Sequence, residues 1–287
     1  MRHGNAIKHG NAAKHGLVNR KKHWWRYLLT AAILLLYLAP FYILIGVAFK
    51  MPSDPSSRWI LPNYLYLENF AKALEGRILL GLRGSLIITV FSVSSIICIG
   101  ALAAYPLARN KSKLNKIVRG FIMGVMMVPP LSILVPIYSV MKMINGISTY
   151  YGMILLLLTF QLPLSIFIYS NFIASIPIAL DEAACIDGCG PLRTFVRIIL
   201  PQLAPVTASV AILTGVTCWN DYQFSLYILQ RPQVASVTLA VSDFFAQVSS
   251  NVFAAAAAAL LGLLPITVLF LLLQKHFIKG MVDSAIK

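Results

Sequence analysis

An all-α, polytopic membrane protein is the fold class this sequence predicts, and three observations carry the prediction. Of its 287 residues 59% are hydrophobic and only 11% are charged, where a soluble domain carries about 25% charged residues. Too few charges remain to clothe a water-facing surface, which sets a soluble enzyme aside. Six apolar stretches are long enough, at roughly 20 helical residues each, to cross about 30 Å of hydrocarbon. The charge is also lopsided: 24 Lys and Arg against 9 Asp and Glu leave +15. Nucleic acid, an acidic substrate or orientation in a membrane would each explain such an excess.

The six spans fall near Trp25–Phe49, Ser85–Leu107, Ile117–Met141, Gly152–Phe172, Val206–Leu229 and Phe253–Leu273. The first is too long for a signal-peptide core and no small-residue cleavage site follows it, so it is read as a retained anchor. Trp24 and Trp25 beside Arg20, Lys21 and Lys22 form an interfacial belt on a basic flank. The following loop, Lys50–Leu82, contains an amphipathic segment, Leu67–Leu74, expected as a short helix lying on the membrane interface or against a partner subunit. Pro129-Pro130 and Pro136 interrupt the third span, Pro163 the fourth and Pro265 the sixth, each removing a backbone hydrogen bond. Gly120-x-x-x-Gly124 and the Ala254–Ala259 run permit close helix approach.

Six spans place both termini on one side. Sorting the basic residues along this topology puts 17 of the 24 on that side, mostly in the N-terminal tail and in the loop Arg109–Arg119. Positive charge collects on cytoplasmic loops, so both termini are expected in the cytoplasm, and no nucleic-acid partner is needed to explain the charge. The organisation is a basic tail over 1–23, a six-helix membrane domain over 24–280 with a loop at 174–202, and a C-terminal tail over 281–287. The N-terminal tail contains a near-repeat, His-Gly-Asn-Ala-x-Lys, read twice from His3, and is taken as a basic segment near anionic lipid.

All five histidines, His3, His9, His15, His23 and His276, lie near the ends of the chain. That argues against an intramembrane haem, a His-based metal site or a Ser/His hydrolase. Cys185 and Cys189 are four apart without a nearby His, which does not make a zinc site; no metal and no disulfide are expected. The chain carries no Gly-x-x-x-x-Gly-Lys-[Ser/Thr] phosphate loop, so it would not hydrolyse ATP itself.

The loop between the fourth and fifth spans is the most informative segment. Pro177 suits a first helical turn, and Asp181 and Glu182 favour its N-terminal half. Gly188 supplies a left-handed stop. Pro191 opens a second helix with Leu192, Phe195, Val196 and Ile199 on one face, and Pro201 ends it. This segment resembles the EAA loop of ABC importer permeases: Glu182-Ala183-Ala184, then Gly188, then Leu200-Pro201, at the expected spacing. The likeness extends along the chain. Asn69-Phe70, Ala104-Tyr105-Pro106-Leu107-Ala108-Arg109, Pro136-Ile137-Tyr138, Trp219-Asn220-Asp221 and Gln274-Lys275 are similar to the smaller, six-helix permeases of maltose-type sugar importers. Gly84-Ser85-Leu86 departs from the usual Asn-Ser-Leu, and Cys189 replaces a common Ala.

The resemblance implies the membrane-spanning subunit of an ATP-driven carbohydrate importer in the inner membrane of a prokaryote. Its partners would be a second permease subunit forming a heterodimer, two cytoplasmic ATP-binding-cassette subunits, an external solute-binding protein and membrane lipid. ATP and Mg²⁺ would be used by the partner ATPase, with no cofactor on this chain. Asp181, Glu182, Ala183, Ala184, Asp187 and Gly188 would form the ATPase-coupling site: Glu182 a polar anchor, the alanines a close-approach surface, Gly188 the turn. A permease for a non-sugar solute and a stand-alone channel or secondary transporter are the alternatives.

Asp221 is the one carboxylate well inside an expected span, where ionisable groups usually face a cavity. With Trp219, Asn220 and Tyr222 around it, two readings stand: lining of the translocation path, or a polar contact between helices. Tyr138 and Gln161 are further polar points on which a hydroxylated solute, or simply a neighbouring helix, would hydrogen-bond.

Overall fold

The computed structural model describes residues 24–247 and 251–285, and every regular element among them is helical. The expectations for the basic tail at 1–23, its His-rich near-repeat included, lie outside the described residues. Apolar sequence with no partner strand leaves backbone groups only one way to be satisfied inside a membrane, within each helix. In chain order the helices are α1 Trp24–Ala48, α2 Glu68–Glu75, α3 Ile78–Arg109, α4 Lys113–Val125, α5 Leu134–Met143 and α6 Tyr150–Ser175. They continue with α7 Ala179–Ile186, α8 Pro191–Thr194, α9 Leu200–Gln202, α10 Ala204–Trp219, α11 Gln223–Ile228, α12 Val237–Gln247 and α13 Val252–Ala285. α13 runs on through most of the expected C-terminal tail.

Four helical stretches are long and apolar enough to span alone: α1, α3, α6 and Val252–Leu272 of α13. Two bent pairs bring the number to six when each is counted as one span. The third expected span is one of them. α4 and the Pro130–Met143 segment meet at 93°, because Pro129 is extended and Pro130 opens a single 3₁₀ turn instead of continuing α4. The fifth differs more. Pro191–Gln202 turns by 76° into α10, and α10 ends at Trp219, not at Leu229, so Asn220–Tyr222 break the backbone where a continuous helix was expected. Pro163 and Pro265 lie inside unbroken helices.

We call the end carrying residues 174–202 basal and the opposite end distal. α3 and α6 run parallel, distal to basal, and form the main core with buried Ile88, Ile96, Leu156, Leu157, Tyr169 and Ile173. A Cβ on Gly100 would stand 2.1 Å from Ser165 Oγ, so glycine there sets the closeness of the two helices. Tyr169 donates to Thr207 Oγ1 at 3.0 Å, tying in α10. A second core joins Val47 and Ala48 of α1, Ala73 of α2, Trp219, and Ala256–Ala258 of α13; the alanine run thus packs as expected. Gly120 and Gly124 do not: nothing lies within 4 Å of the space a Cβ would occupy, and α4 buries no residue within this chain.

The distal loop is folded around one side chain. Lys50 is only 1% exposed, and its Nζ donates to the carbonyls of Ser56, Ser57 and Ile60 at 3.3, 2.7 and 3.0 Å. Asn69, at the start of the expected amphipathic helix, donates to the carbonyls of Ala48 and Lys50 at 2.9 and 2.8 Å. α12 was not expected as an element. Its first residue, Val237, donates its N–H to Ser85 Oγ at 2.8 Å, and the carbonyl of Ala235 would lie 2.0 Å from a Cβ on Gly84. That approach accounts for glycine where the resemblance leads one to look for asparagine.

Candidate functional site

Two places in this fold hold the residues singled out by sequence. The first is the basal loop. α7 begins two residues after Pro177 and carries Asp181 and Glu182 in its first turn, where negative charge is favoured. Ala184 is the one residue of α7 that is buried. Glu182, Ala183, Asp187 and Gly188 are exposed, as are Ile178 and Ile186, the latter to 87%. Gly188 has φ +77°, a left-handed value that glycine adopts without a Cβ penalty. It lets Cys189 N–H reach back to the Ala184 carbonyl at 2.9 Å.

The second helix of the loop buries a different face from the expected one. Phe195 and Ile199 are buried, but Leu192 and Val196 are exposed, and Thr194 is buried instead. The cause is the π turn at Phe195–Ile199, which shifts the register by a fraction of a turn. Pro201 does not end the helix; the chain bends at Leu203, two residues later.

Asp181 is held where Glu182 is free. One carboxylate oxygen pairs with Arg109 at 2.8 Å, and the other accepts from the Tyr105 hydroxyl at 2.7 Å. A further guanidinium nitrogen of Arg109 donates to the Ile176 carbonyl at 2.9 Å. The side chains of Arg109 and Asp181 are only 14% and 16% exposed, so the pair is shielded from the screening that weakens surface ion pairs. Residues from the end of α3 thus clamp both α7 and the last turn of α6.

The second place is a cavity of about 370 Å³ between the α10 break, α12 and α13, within the size range of small-molecule sites. Trp219, Asn220 and Tyr222 line it, together with Thr238, Ser242 and Phe245 of α12 and Gly262 of α13. Among the described residues, no lining side chain carries a formal charge at neutral pH. Trp219 is 5% exposed and its indole N–H donates to the Gly262 carbonyl at 3.1 Å. Irregular backbone at membrane depth is tolerated where it lines such a cavity.

Asp221 does not line the cavity. Its carboxylate accepts from the N–H groups of Phe224 and Ser225 and from the Ser225 hydroxyl, at 3.5, 2.9 and 3.0 Å. Its carbonyl accepts from Thr238 Oγ1 at 2.5 Å. Asp221 thus holds the first turn of α11 and joins the break to α12. Tyr138 accepts from Gln230 at 3.2 Å, and Gln161 is half-buried on α6; neither reaches the cavity. Sequence reasoning missed Thr238, Ser242 and Phe245, although their spacing of four and three residues puts them on one helical face.

Comparison with known proteins bears on the family and the fold. The family described as binding-protein-dependent transport system inner membrane component matches residues 96–283. The melibiose/raffinose/stachyose import permease protein MelC of Bacillus subtilis is 43% identical over 263 residues, covering 91% of this chain and 95% of its own length. The multiple sugar-binding transport system permease protein MsmG of Streptococcus mutans is 32% identical, covering 92% and 97%. Among solved structures, a bacterial ABC transporter involved in the import of the acidic polysaccharide alginate has a chain matching with TM-score 0.77 at 16% identity, over 88% of this chain and 95% of that one. At that identity the likeness is one of fold.

Proposed function

The chain belongs to the family of binding-protein-dependent transport system inner membrane components, and we propose that it is the subunit of an ATP-driven importer that conducts a neutral oligosaccharide. The observation that carries the coupling part of this reading is the free face of α7. Glu182, Ala183, Ile178 and Ile186 stand outward from the bundle on a helix that Asp181 alone fastens by an ion pair. A helix with small residues and one unengaged carboxylate is shaped to bring its backbone against a partner. The partner is a cytoplasmic ATPase, two copies of which serve this chain and a second permease subunit. The basal end then faces the cytoplasm with both termini, as the distribution of Lys and Arg implies. ATP and Mg²⁺ belong to the ATPase; this chain, lacking a phosphate loop, binds neither.

The distal end faces the external solute-binding protein. Solute crosses by way of the uncharged cavity at the α10 break, where Tyr222 and Phe245 offer aromatic faces and Asn220, Thr238 and Ser242 offer hydrogen bonds. Sugar rings use both kinds of contact. The names of MelC and MsmG support a carbohydrate, and the lack of charge around the cavity supports a neutral one.

The test is reconstitution in proteoliposomes with the cognate ATPase, second permease and binding protein, raffinose being the probe. Intact chain is expected to import raffinose only with ATP. Glu182→Lys is expected to abolish import and solute-stimulated ATP hydrolysis in a complex that still assembles through its membrane subunits. Full retention of both activities in that variant overturns the coupling reading.

A further inference from the structure

The ion pairs Arg109–Asp181 and Arg77–Asp243 stand at opposite ends of one helix. α3 has 32 residues, about 48 Å at 1.5 Å per residue, and it is unbroken. Its basal end grips α7 through Asp181 and the end of α6 through the Ile176 carbonyl. Just before its distal end, Arg77 is paired with Asp243 of α12. The distal quarter of α3 is further stitched to the start of α12, where Gly84 lies against the backbone of Ala235 and the Ser85 hydroxyl accepts from the Val237 N–H. α12 is the element that presents Thr238, Ser242 and Phe245 to the cavity. A single stiff element therefore touches both the segment expected to be pushed and the wall expected to open.

We propose that α3 is the transmission rod of the importer, and that Arg109 is the positioning residue that engages it. The proposal rests on the coupling role assigned above to α7. Besides Arg109 and Tyr105, buried Ala184 holds α7 to the bundle, and covalent links tie it to α6 through Pro177 and to α8 through Asp187–Gly190. A push on α7 without the clamp is taken up in part by rotation about those links. With the clamp it displaces the base of α3, and packed helices of this kind shift as units rather than deform continuously. Arg77 and the Gly84–Ser85 contact then carry the shift to α12 and change the cavity wall.

The experiment uses the complete reconstituted complex with Ser242→Cys as a reporter, labelled from the binding-protein side with a membrane-impermeant maleimide, with and without ATP plus vanadate. Labelling above that of the chain keeping Ser242 is the signal. With Arg109 and Asp181 intact, ATP plus vanadate is expected to change the labelling rate several-fold. Arg109→Gln is expected to abolish that change while ATP hydrolysis persists, and the exchange of Arg109→Asp with Asp181→Arg is expected to restore it. Asp181→Asn serves as the second single variant should Arg109→Gln fail to assemble. A several-fold change that survives in an assembled single variant overturns the proposal. So does an intact complex that hydrolyses ATP with no change at the reporter. An intact chain that recruits no ATPase overturns instead the coupling reading on which the rod depends.

Discussion

Residues 174–202 and residues 220–247 both leave the bundle as short helices around a break, yet their polar groups behave in opposite ways. In the distal segment several of them are satisfied within the chain. Asp221 caps α11, Thr238 donates to the Asp221 carbonyl, the N–H groups of Gln230 and Arg231 reach Ser148, and Asp243 pairs with Arg77. In the basal segment Asp181 is held, but Glu182 and Asp187 stand exposed beside exposed Ile178, Ile186 and Leu192. The distal segment completes itself and forms a wall. The basal one leaves a face exposed, the face proposed above to receive the ATPase.

The largest effect is expected where the wall is nearest to another helix. Gly84→Asn introduces the residue that the resemblance leads one to look for, but its Cβ would enter the carbonyl of Ala235, 2.0 Å away. Backbone does not yield as a flexible side chain does, so overpacking here costs about 3 kcal/mol or more. The measurement is thermal unfolding of the detergent-purified chain. A large drop for Gly84→Asn beside little change for Ala183→Leu would sharpen the contrast. Ala183 is exposed within this chain, and surface changes usually stay within about 0.5 kcal/mol. Ala183→Leu should instead weaken ATPase recruitment, read by co-purification. Equal stability losses in both variants would break the contrast.

A smaller effect separates the two readings of Asp221. Removing its carboxylate in Asp221→Ala leaves the first N–H groups of α11 without their acceptor, a loss of about 1–2 kcal/mol, as for other helix caps. Asp221→Asn keeps one acceptor oxygen and should recover most of the stability. If the residue acts only as a cap, Asp221→Asn transports with unchanged affinity for solute. A raised KM at normal stability would move Asp221 from the wall into the translocation path.

These cases also show how far the sequence could be read. Hydropathy located the four single-helix spans, and the two bent pairs overlap the third and fifth expected ones, since about 20 apolar residues have few other fates. Glu182-Ala183-Ala184 and Gly188 could be placed because a left-handed stop and an acidic first turn are local properties. The break at Asn220–Tyr222 was hidden because apolar residues resume after it, and composition does not report where a helix ends. Asp221 in a continuous helix reads as an intramembrane charge; only the break turns it into a cap. The exposure of Leu192 and Val196 follows from a single π turn, to which a 3.6-residue periodicity is blind. α12, and with it half the cavity, depends on Gly84 and Ser85 some 150 positions earlier, a contact beyond any local pattern.

The smallest effect probes the self-completing character of the distal end at Asp54, in the loop folded over Lys50. Hydrogen bonds from the Ser56 side chain, from the Tyr64 hydroxyl and from the Ser56 N–H, with Lys50 nearby, hold its carboxyl down at about 2, against 3.8 ordinarily. Tyr64 is correspondingly pushed up by its bond to Asp54. A depressed carboxyl stabilises the fold above its unfolded pKa, and that contribution is lost as pH falls through the folded one. The Asp54 contribution should therefore be constant from neutral pH to about 4 and vanish toward pH 2. The check is the melting temperature of Asp54→Asn relative to the unaltered chain across that range. A difference that stays level to about pH 4 and then closes fits a carboxylate saturated by its own loop. One that does not vary with pH would mean that Asp54 titrates as an isolated carboxyl does, and the contrast between the two ends would fail at its distal side.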